Sequence, residues 1–426
     1  MESLYPLFLD AWRVCTDSRQ IQKGDLFFAL KGENFDGNTF TQEALRKGAR
    51  AVVIDNPEYF TKPGETFLVD DVLEALQQLA TYHRDKLKIP VIAITGSNGK
   101  TTTKELLTAV LQEKFKVCAT KGNLNNHIGV PLTLLSIKAT HEIAVVEMGA
   151  NHVGEIGFLC DIAKPNYGII TNIGKAHLEG FGGFEGVKRA KSELYRYLET
   201  HQGTAFISQK DEVLQALKGN VAEIATHSLD FDAKVVENFP YLQFSYHGKD
   251  YESPVVATHL VGAYNIDNLL YAIAVGNFFQ VPAMDIEKAI SSYVPKNNRS
   301  QLELTAKENH VVVDCYNANP SSMANALENF ANIRAGNKFF ILGDMLELGE
   351  ESIDEHLAIF YRIQELGLRG MYVGLIFAES LRGKTATCFH DKKHAEIYLR
   401  GLQLQNHWIL LKGSRGIYLE EFLPLL

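Results

Sequence analysis

A lysine and a threonine directly follow a glycine in the segment VIAITGSNGKTTT, residues 91–103. Glycines let backbone N–H groups converge on phosphate oxygens, and a helix N-terminus adds partial positive charge. Lys100 would reach the β- and γ-phosphates of a nucleotide, and the Thr101 hydroxyl would ligate Mg²⁺. Only two residues separate the glycines, so a plain turn between a strand and a helix is the alternative. The strand–loop–helix context favours phosphate binding by Gly96, Ser97, Asn98, Gly99, Lys100, Thr101 and Thr102.

A phosphate loop of this kind needs a second metal ligand, usually a carboxylate at the end of a neighbouring strand. Glu147 ends the apolar run IAVVE. A charge is costly there unless it is paired or bound to a metal. A solvated residue just past the strand end is the alternative. We favour the metal role, because carboxylate oxygens are ligands that Mg²⁺ prefers.

Two further side chains could serve the same centre. His177 follows a predicted strand in NIGKAH, at the carboxyl end where open α/β sheets bind ligands. A lone histidine is often a surface or capping residue, so position alone leaves ligation open. Lys188 and Lys191 lie three apart on a predicted helix, which is typical of a solvated cationic face. Lysine could ligate Mg²⁺ only as a carbamate, and the spacing gives no evidence for one.

The chain has 426 residues, and patterns typical of strands alternate along it with patterns typical of helices. These strands and helices must position the residues named above. The formal net charge of −9 argues against a broad nucleic-acid or anionic-membrane surface. Five scattered cysteines form no CxxC pair, and no apolar run approaches the ~18 residues that span a bilayer. We therefore expect a soluble protein of a reducing compartment, without membrane insertion.

Strand and helix patterns divide the chain into three α/β segments, residues 1–87, 88–296 and 297–426. The third begins after a polar linker at 294–298. Buried strands are predicted at 24–30, 51–55, 91–95, 143–147, 168–172, 310–315, 338–342, 370–373 and 408–411. Helices are predicted at 42–47, from 72, and at 100–113, 186–199 and 266–279. A hairpin is predicted at 241–256, with Gly248 in its turn.

The motifs together resemble the ATP-dependent Mur ligases, which build the peptide of the peptidoglycan precursor. The resemblance rests on TGSNGKTT, on the strand ending in EMG, and on NIGKAHLEGF with AKSEL. It extends over the whole chain, from TDSR (16–19) to GAYNIDNLLYAIAVG (262–276) and LKGSRG (411–416). It implies an N-terminal domain that binds the UDP-muropeptide, a central P-loop ATPase-type domain, and a C-terminal Rossmann-like ligase domain.

The resemblance also implies roles for individual residues. Thr101 and Glu147 match ligands of a first Mg²⁺, His177 and a carbamylated Lys191 match ligands of a second, and Lys100 completes the catalytic set. The nucleotide contacts implied are Asn265, Asn268, Arg299 and Asp314; Tyr264 stands where relatives often have histidine. The contacts implied for the UDP-peptide are Ser18, Arg19, Asn125 and Asn126. The two asparagines could equally form a helix N-cap.

Three C-terminal motifs indicate which reaction of the family to expect. DCYNANPSSM (314–323), LGDMLELGE (342–350) and LKGSRG resemble the member that joins D-alanyl-D-alanine to a UDP-N-acetylmuramoyl-tripeptide. The member that adds the third amino acid typically has Asp-Asn-Pro-Arg, and this chain reads Ala318-Asn319-Pro320-Ser321. The implied chemistry is amide formation through an acyl phosphate, releasing ADP and phosphate.

Several alternatives stay open on the sequence. They are the tripeptide-forming ligase, another Mur-like amide ligase such as a folylpolyglutamate synthetase, a P-loop kinase, and a nucleotide-binding scaffold without catalysis. Glu147, His177 and Lys191 disfavour the scaffold, which needs no second metal. We expect a cytoplasmic monomer that acts on small molecules, not nucleic acid, with ATP and two Mg²⁺ ions as its cofactors.

Overall fold

The computed structural model describes residues 3–296 and 298–426. The first segment packs its helices on a parallel sheet of order β1-β2-β5-β6. Its strands are β1 (Val14–Cys15), β2 (Leu26–Phe28), β3 (Lys31–Gly32), β4 (Phe35–Asp36), β5 (Ala51–Ile54) and β6 (Thr66–Leu68). Its helices are α1 (Leu4–Asp10), α2 (Thr41–Arg46) and α3 (Val72–Lys86). Asp71 caps α3 by accepting a hydrogen bond from the Glu74 backbone N–H.

The central segment is built on a parallel sheet of order β12-β11-β10-β7-β9-β8. Its strands are β7 (Val91–Thr95), β8 (Val117–Ala119), β9 (Ile143–Glu147), β10 (Tyr167–Ile170), β11 (Thr204–Ser208) and β12 (Ala222–His227). Every residue of β7 and β9 is buried. Continuous apolar runs are what a parallel sheet covered on both faces requires.

Strand β7 lies between β9 and β10, and this order assembles the site. The register pairs Ile94 with Glu147 on one side and Ile170 with Thr95 on the other. The carboxyl ends of the three strands therefore meet at one edge of the sheet. That edge carries the glycine loop, Glu147 and the segment that leads to His177.

Helices cover both faces of this sheet: α4 (Lys100–Gln112), α5 (Gly129–Leu135), α6 (Glu155–Ala163), α7 (Leu178–Phe181), α8 (Phe184–Lys191), α9 (Glu193–Thr200), α10 (Glu212–Leu217), α11 (Ile266–Phe278) and α12 (Ala283–Ser292). Helices α4 and α11 pack together over one face. The single helix predicted at 186–199 is wrong, because α8 and α9 are separated at Ser192. The Ser192 hydroxyl donates back to the Arg189 carbonyl, a local bond that competes with helix continuation.

A small antiparallel sheet follows the parallel one: β13 (Asp232–Asn238), β14 (Leu242–Gly248), β15 (Tyr251–Glu252) and β16 (Val256–Ala257). The predicted hairpin is present, but Gly248 is not in its turn. Gly248 is the last residue of β14 and pairs with Tyr251, so Lys249 and Asp250 form the turn. Strand β13 was not predicted; it is mostly exposed and lacks a clear alternation of apolar residues.

The C-terminal segment is a doubly wound sheet of order β17-β18-β22-β19-β20-β21, parallel except for β17. Its strands are β17 (Gln301–Leu304), β18 (His310–Asp314), β19 (Lys338–Gly343), β20 (Gly370–Val373), β21 (Cys388–Phe389) and β22 (Trp408–Lys412). Its helices are α13 (Pro320–Asn332), α14 (Ser352–Glu365), α15 (Leu375–Ser380) and α16 (Lys392–Leu402). The predicted α/β class, with a P-loop-type sheet and a Rossmann-like sheet, is confirmed.

The boundaries at 87/88 and 296/297 stay a proposal for where the domains divide. Asn297, in the predicted linker, lies outside the described residues, as do residues 1 and 2 of the first domain. Within residues 3–296 and 298–426, no helix is long and apolar enough to cross a membrane.

Candidate active site

A cleft of about 700 Å³ lies where the central sheet faces the C-terminal segment. This volume falls within the ~300–1,000 Å³ of typical ligand sites. Predicted residues that line the cleft are Ser97, Asn98, Gly99, Lys100, Thr101, Thr102, Asn125, Asn126, Glu147, His177, Asn265, Asn268, Arg299 and Asp314. Residues far apart in sequence thus share one cavity. Gly96, Lys191, Ser18 and Arg19 do not line it.

The glycine loop needs its glycines for steric reasons. Gly96 and Gly99 have φ values of 139° and 79°, in the left-handed region that side chains avoid. A Cβ on Gly96 would lie 2.0 Å from Thr171 Oγ1, and one on Gly99 would lie 2.5 Å from Asn268 Oδ1. No side chain fits at either position without moving its neighbours. The missing Cβ atoms at these two positions let the loop backbone pass close to its neighbours, as a tight glycine turn requires.

The Ser97 side chain and the Asn98 backbone hold this loop against the segment that follows β10. Ser97 Oγ donates to the Gly174 carbonyl at 3.0 Å, and the Gly174 N–H donates back to the same oxygen at 2.9 Å. The Asn98 N–H donates to Asn172 Oδ1 at 3.0 Å. The loop is thus fastened to the segment that carries His177, and the Ser97 hydroxyl is already occupied by this contact.

Lys100, the first residue of α4, folds back over the loop. Its Nζ donates to the carbonyls of Gly96 at 2.7 Å and Ser97 at 3.2 Å. Burial lowers the pKa of Lys100 to about 8, against a smaller raising effect of Glu147 and with a further lowering by Arg299. An anion would favour the charged form here, because it would replace the water that burial has removed.

Glu147 is held by neighbours at the end of β9. Its Oε1 accepts hydrogen bonds from Thr101 Oγ1 at 3.1 Å and from Asn125 Nδ2 at 2.9 Å. Its Oε2 is buried without a hydrogen-bond partner. Lys104 Nζ lies 3.5 Å from Oε2 in an ion-pair contact and donates to the Gly122 carbonyl. Lys104 was not predicted as a site residue. Its position one turn after Lys100 on α4, which puts both lysines on one face of the helix, could have indicated it.

This pair of ligands fits a magnesium ion. The buried Oε2, which has no hydrogen-bond partner, and the nearby Thr101 hydroxyl offer oxygen atoms of the kind that Mg²⁺ prefers, beside the glycine loop. Among the described residues no group of three or more His, Cys, Asp or Glu could hold a metal. Mg²⁺ does not need such a cage, since it keeps several waters and takes one or two carboxylates plus substrate phosphates.

His177 reaches the cleft from a left-handed backbone position, with φ at 53°. Its Nδ1 lies 2.5 Å from Glu347 Oε2, an exposed carboxylate of the C-terminal segment. Glu347 was not predicted as a site residue, although it lies in the motif LGDMLELGE on which the resemblance partly rests. The contact places a carboxylate beside the predicted histidine ligand.

Lys191, at the end of α8, is 2% exposed and is not among the residues that line the cleft. Its Nζ stands 5.2 Å from the centre of the Phe181 ring. Burial lowers the pKa of Lys191 well below its ordinary value, Lys100 lowers it further, and Glu155 and Glu193 raise it. The reading of a solvated cationic face is therefore wrong for Lys191. It holds for Lys188, which pairs with Glu185 at the surface.

Asn265 and Asn268 bond to each other and to the protein. Asn268 Nδ2 donates to Asn265 Oδ1 at 3.0 Å, and Asn268 Oδ1 accepts from Thr103 Oγ1 at 3.0 Å. Asn265 Nδ2 donates to the Val261 carbonyl at 3.0 Å. This series of hydrogen bonds connects α11 to α4, and both asparagines line the cleft. Their contact with adenine stays a prediction.

Arg299 and Asp314 come from the C-terminal segment. The Arg299 guanidinium stacks 3.6 Å from the centre of the Tyr316 ring, and its Nε is buried without a hydrogen-bond partner. Lys412 Nζ donates to Asp314 Oδ2 at 2.5 Å. Neither Tyr316 nor Lys412 was predicted, because only the tertiary structure brings them to the cleft.

The residues predicted for the UDP-peptide separate into two places. Ser18 and Arg19 lie outside the cleft, in the first segment, where Arg19 is paired with Asp17. Asn126 Oδ1 accepts from the backbone N–H groups of Ile128 and Gly129 at 3.1 and 2.9 Å, so it caps α5 as the alternative reading had it. Asn125 holds Glu147.

Comparison with protein families matches three models in chain order. "Mur ligase family, catalytic domain" matches residues 13–84, "Mur ligase middle domain" residues 94–276, and "Mur ligase, glutamate ligase domain" residues 299–415. Together they include all three α/β segments. Each matched range contains all or nearly all of one of the three large, mainly parallel sheets of the structure.

Individual relatives match over nearly the full length. A "UDP-N-acetylmuramoyl-tripeptide--D-alanyl-D-alanine ligase" from Bacillus subtilis is 34% identical over 423 residues, 96% of this chain and 91% of the relative. The crystal structure of MurF from Acinetobacter baumannii is 33% identical, with a TM-score of 0.88 over 99% of this chain and 96% of that one. The MurF ligase from Thermotoga maritima in complex with ADP is 27% identical, with a TM-score of 0.85 over 98% and 97% of the two chains. The chain therefore belongs to the Mur ligase family.

Proposed function

We propose that this chain is an ATP-dependent ligase that joins D-alanyl-D-alanine to a UDP-N-acetylmuramoyl-tripeptide in peptidoglycan precursor synthesis, releasing ADP and phosphate. One observation carries the proposal. A glycine phosphate loop with Lys100 shares a cleft with Glu147, whose buried Oε2 has no hydrogen-bond partner. Near-full-length similarity to ligases of that name supports the choice of substrates.

The proposed reaction has two steps, a phosphoryl transfer from ATP and the formation of an amide bond. The free carboxylate of the UDP-tripeptide attacks the γ-phosphorus of ATP, which forms an acyl phosphate and releases ADP. The amine of the dipeptide then attacks the acyl carbon, loses a proton and expels phosphate. The first step brings two anions together, so catalysis consists mainly of positioning and charge neutralisation.

Lys100 and the start of α4 supply that neutralisation. The Lys100 ammonium would exchange its bonds to the Gly96 and Ser97 carbonyls for phosphate oxygens. The positive end of a 13-residue helix points at the same place. The helix end stands in position before the substrate arrives, and only the Lys100 ammonium has to exchange its hydrogen-bond partners.

We assign Thr101 and Glu147 to a first Mg²⁺, and His177 with a carbamylated Lys191 to a second. A bound Mg²⁺ would neutralise charge on the phosphate oxygens. Asn125 and Lys104 keep the Glu147 carboxylate in place. The neutral amine that CO₂ requires is favoured at Lys191, because burial lowers its pKa.

The C-terminal segment closes the cleft. Asn319 Nδ2 donates to Asn98 Oδ1 at 2.7 Å, and the Lys175 N–H donates to Ser321 Oγ at 3.2 Å. These contacts join the two halves directly over the phosphate loop. An acyl phosphate would hydrolyse in open water, so a closed site protects it.

The remaining assignments place each substrate. Asn265, Asn268, Arg299 and Asp314 serve the nucleotide, while Ser18 and Arg19 serve the uridine end of the UDP-peptide. Asn125 and Asn126 belong to the loop that the peptide approaches. We propose that the enzyme acts as a cytoplasmic monomer on small molecules.

A coupled assay of ADP and phosphate release tests the function. Defined UDP-muramoyl peptides are supplied with and without D-alanyl-D-alanine, and the ligated product is identified by mass. Turnover should require both the UDP-tripeptide and the dipeptide. Faster turnover with a UDP-dipeptide and a single diamino acid would transfer the assignment to the tripeptide-forming ligase. Phosphate transfer to a hydroxyl without phosphate release would indicate a kinase.

A further inference from the structure

A tyrosine in the wall of the cleft connects the central segment to the start of the C-terminal one. Tyr264 directly precedes Asn265 and lines the cleft together with it. Its hydroxyl lies 2.7 Å from the hydroxyl oxygen of Ser300, which lines the same cleft and directly precedes β17. This hydrogen bond therefore joins the wall that we assign to the nucleotide to the C-terminal half.

Residues 298–300, which lead into β17, adopt a backbone conformation that their sequence does not favour. Asn298 and Ser300 have φ values of 57° and 47°, in the left-handed region that asparagine tolerates and serine rarely adopts. Backbone of this kind persists only where the surrounding structure fixes it. The Cys315 N–H donates to the Asn298 carbonyl at 3.1 Å, and the Ser300 N–H donates to Asp314 Oδ1 at 3.4 Å. Both of these partners lie at or just after the end of β18.

Tyr264 supplies the contact from the other half. Among the residues that the structure describes, no other hydrogen bond reaches 298–300 from the central segment. The tyrosine ring packs directly against Gly262, where an added Cβ would lie 2.3 Å from Tyr264 Cε1. The ring is therefore held by the backbone before α11, and the hydroxyl extends from it to Ser300.

Arg299 stands between the two left-handed residues, so their conformation sets its direction. Its guanidinium stacks 3.6 Å from the centre of the Tyr316 ring, and its Nε is buried without a hydrogen-bond partner. An arginine fork binds well only when its plane is correctly oriented. A change in the backbone at Ser300 would change the direction in which Arg299 enters the cleft.

We propose that Tyr264 is a positioning residue, whose hydroxyl holds Ser300 and thereby keeps Arg299 directed at the nucleotide. The inference rests on the proposed function, through its assignment of Arg299 to the nucleotide. A residue that only stacked against a base would need the ring and not the hydroxyl. The hydrogen bond belongs to both halves, so it couples the nucleotide wall to the position of the C-terminal segment.

Tyr264→Phe removes the hydroxyl and keeps the ring against Gly262. The dissociation constant of a non-hydrolysable ATP analogue, measured by calorimetry, should rise about 2- to 10-fold, the net worth of one hydrogen bond. The KM for ATP should rise with it, whereas the KM values for the UDP-tripeptide and the dipeptide should not change. Ser300→Ala should have the same effect, and the double variant should bind the analogue no more weakly than either single one.

A second comparison tests whether Tyr264 acts through Arg299. Arg299→Ala should weaken binding of the analogue by itself, and the addition of Tyr264→Phe should then cause no further loss. A side chain that contacted the nucleotide directly, or only stabilised the fold, would add its own loss. Tyr246→Phe is the matched control, because it removes a buried tyrosine hydroxyl that donates to Glu287 elsewhere in the central segment. It should leave binding of the analogue unchanged.

The outcomes separate this inference from the proposed function. Unchanged analogue binding in Tyr264→Phe or in Arg299→Ala, or additive losses in the combined variant, overturns the inference while the proposed function stands. Absence of dipeptide-dependent turnover in a wild-type enzyme that binds the analogue overturns the proposed function alone. Failure of the wild-type enzyme to bind the analogue overturns both.

Discussion

Lys100 stands where a change of one side chain should stop the reaction without disturbing the fold. It contacts the loop carbonyls rather than an apolar core. Lys100→Ala should reduce ADP release by about 10²- to 10³-fold or more, as expected for loss of a preorganised charge. The assay is coupled ADP release, with thermal unfolding as the check on structure.

Lys114→Ala is a matched control, since that lysine lies beyond the other end of α4 and donates only to surface carbonyls. Near-normal ADP release by a folded Lys100→Ala protein would disprove the assignment of the phosphate site.

Lys191 offers a sharper test at the same scale. A carbamate would turn the buried lysine amine into an oxygen ligand of −1 charge, which would attract a metal ion. Lys191→Ala should lose most activity, and added short-chain carboxylates should restore part of it. Lys188→Ala should be tolerated, because that side chain pairs with Glu185 at the surface.

Mass spectrometry of the native enzyme under CO₂ should show the added carboxyl group on Lys191. Full activity of Lys191→Ala, together with an unmodified lysine in the ATP-bound enzyme, would contradict the assignment.

At the scale of elements, α14 supports the acidic loop that reaches the cleft. His356, a fully buried residue of α14, accepts a hydrogen bond from the Met345 N–H at 3.0 Å on Nε2. Its Nδ1 lies 2.6 Å from the Ser352 carbonyl and so carries the proton. The ring must be neutral to make both bonds. Loop 344–348, including Glu347 beside His177, depends on this arrangement.

Stability should therefore fall as the solution becomes acidic. Burial lowers the pKa of His356 below its ordinary value, although Asp344 and Glu355 oppose the shift. The unfolded chain then binds more protons than the folded one, so this contribution is present above pH ~6.5 and is lost as the pH falls towards the folded pKa. One such group gives a slope of at most about 1.4 kcal/mol per pH unit.

Denaturant unfolding between pH 7.5 and 5.5 measures this effect. His356→Gln, which cannot titrate, should flatten the dependence, whereas His394→Gln at an exposed site should not. Equal slopes for wild type and His356→Gln would show that other groups cause any acid sensitivity.

At the scale of the whole molecule, the central and C-terminal halves meet through polar contacts above the phosphate loop. Lys175 pairs with Glu355, an ion pair in which the lysine is half exposed and the glutamate largely buried. Such a pair contributes modestly to stability, so its main effect should be on the angle between the halves.

Charge reversal tests this idea. Lys175→Glu should repel Glu355, raise the radius of gyration in solution scattering and increase the KM for ATP several-fold. The exchange Lys175→Glu with Glu355→Lys should restore both quantities. If the double variant behaves like the single one, the pair does not set the closed arrangement.

Local patterns were enough to predict the strand, the glycine loop and the helix start of residues 91–101. Residues 91–101 contain an apolar strand, two glycines and a helix start within one short stretch. The strands β7 and β9 have the predicted limits, because buried parallel strands appear as uninterrupted apolar runs. The break at Ser192 and the turn at 249–250 were not predicted, since each depends on single hydrogen bonds that many sequences could make.

The sequence by itself determined the α/β class and the family resemblance, and it predicted roles for Lys100, Thr101 and Glu147. Only the tertiary structure decided that Lys104 and Asn125 hold Glu147, that Glu347 meets His177, and that Tyr264 meets Ser300. The reason is physical. Strand, loop and helix follow from neighbours in the chain, whereas these contacts join side chains that are brought together by sheet order and by the packing of one half on the other.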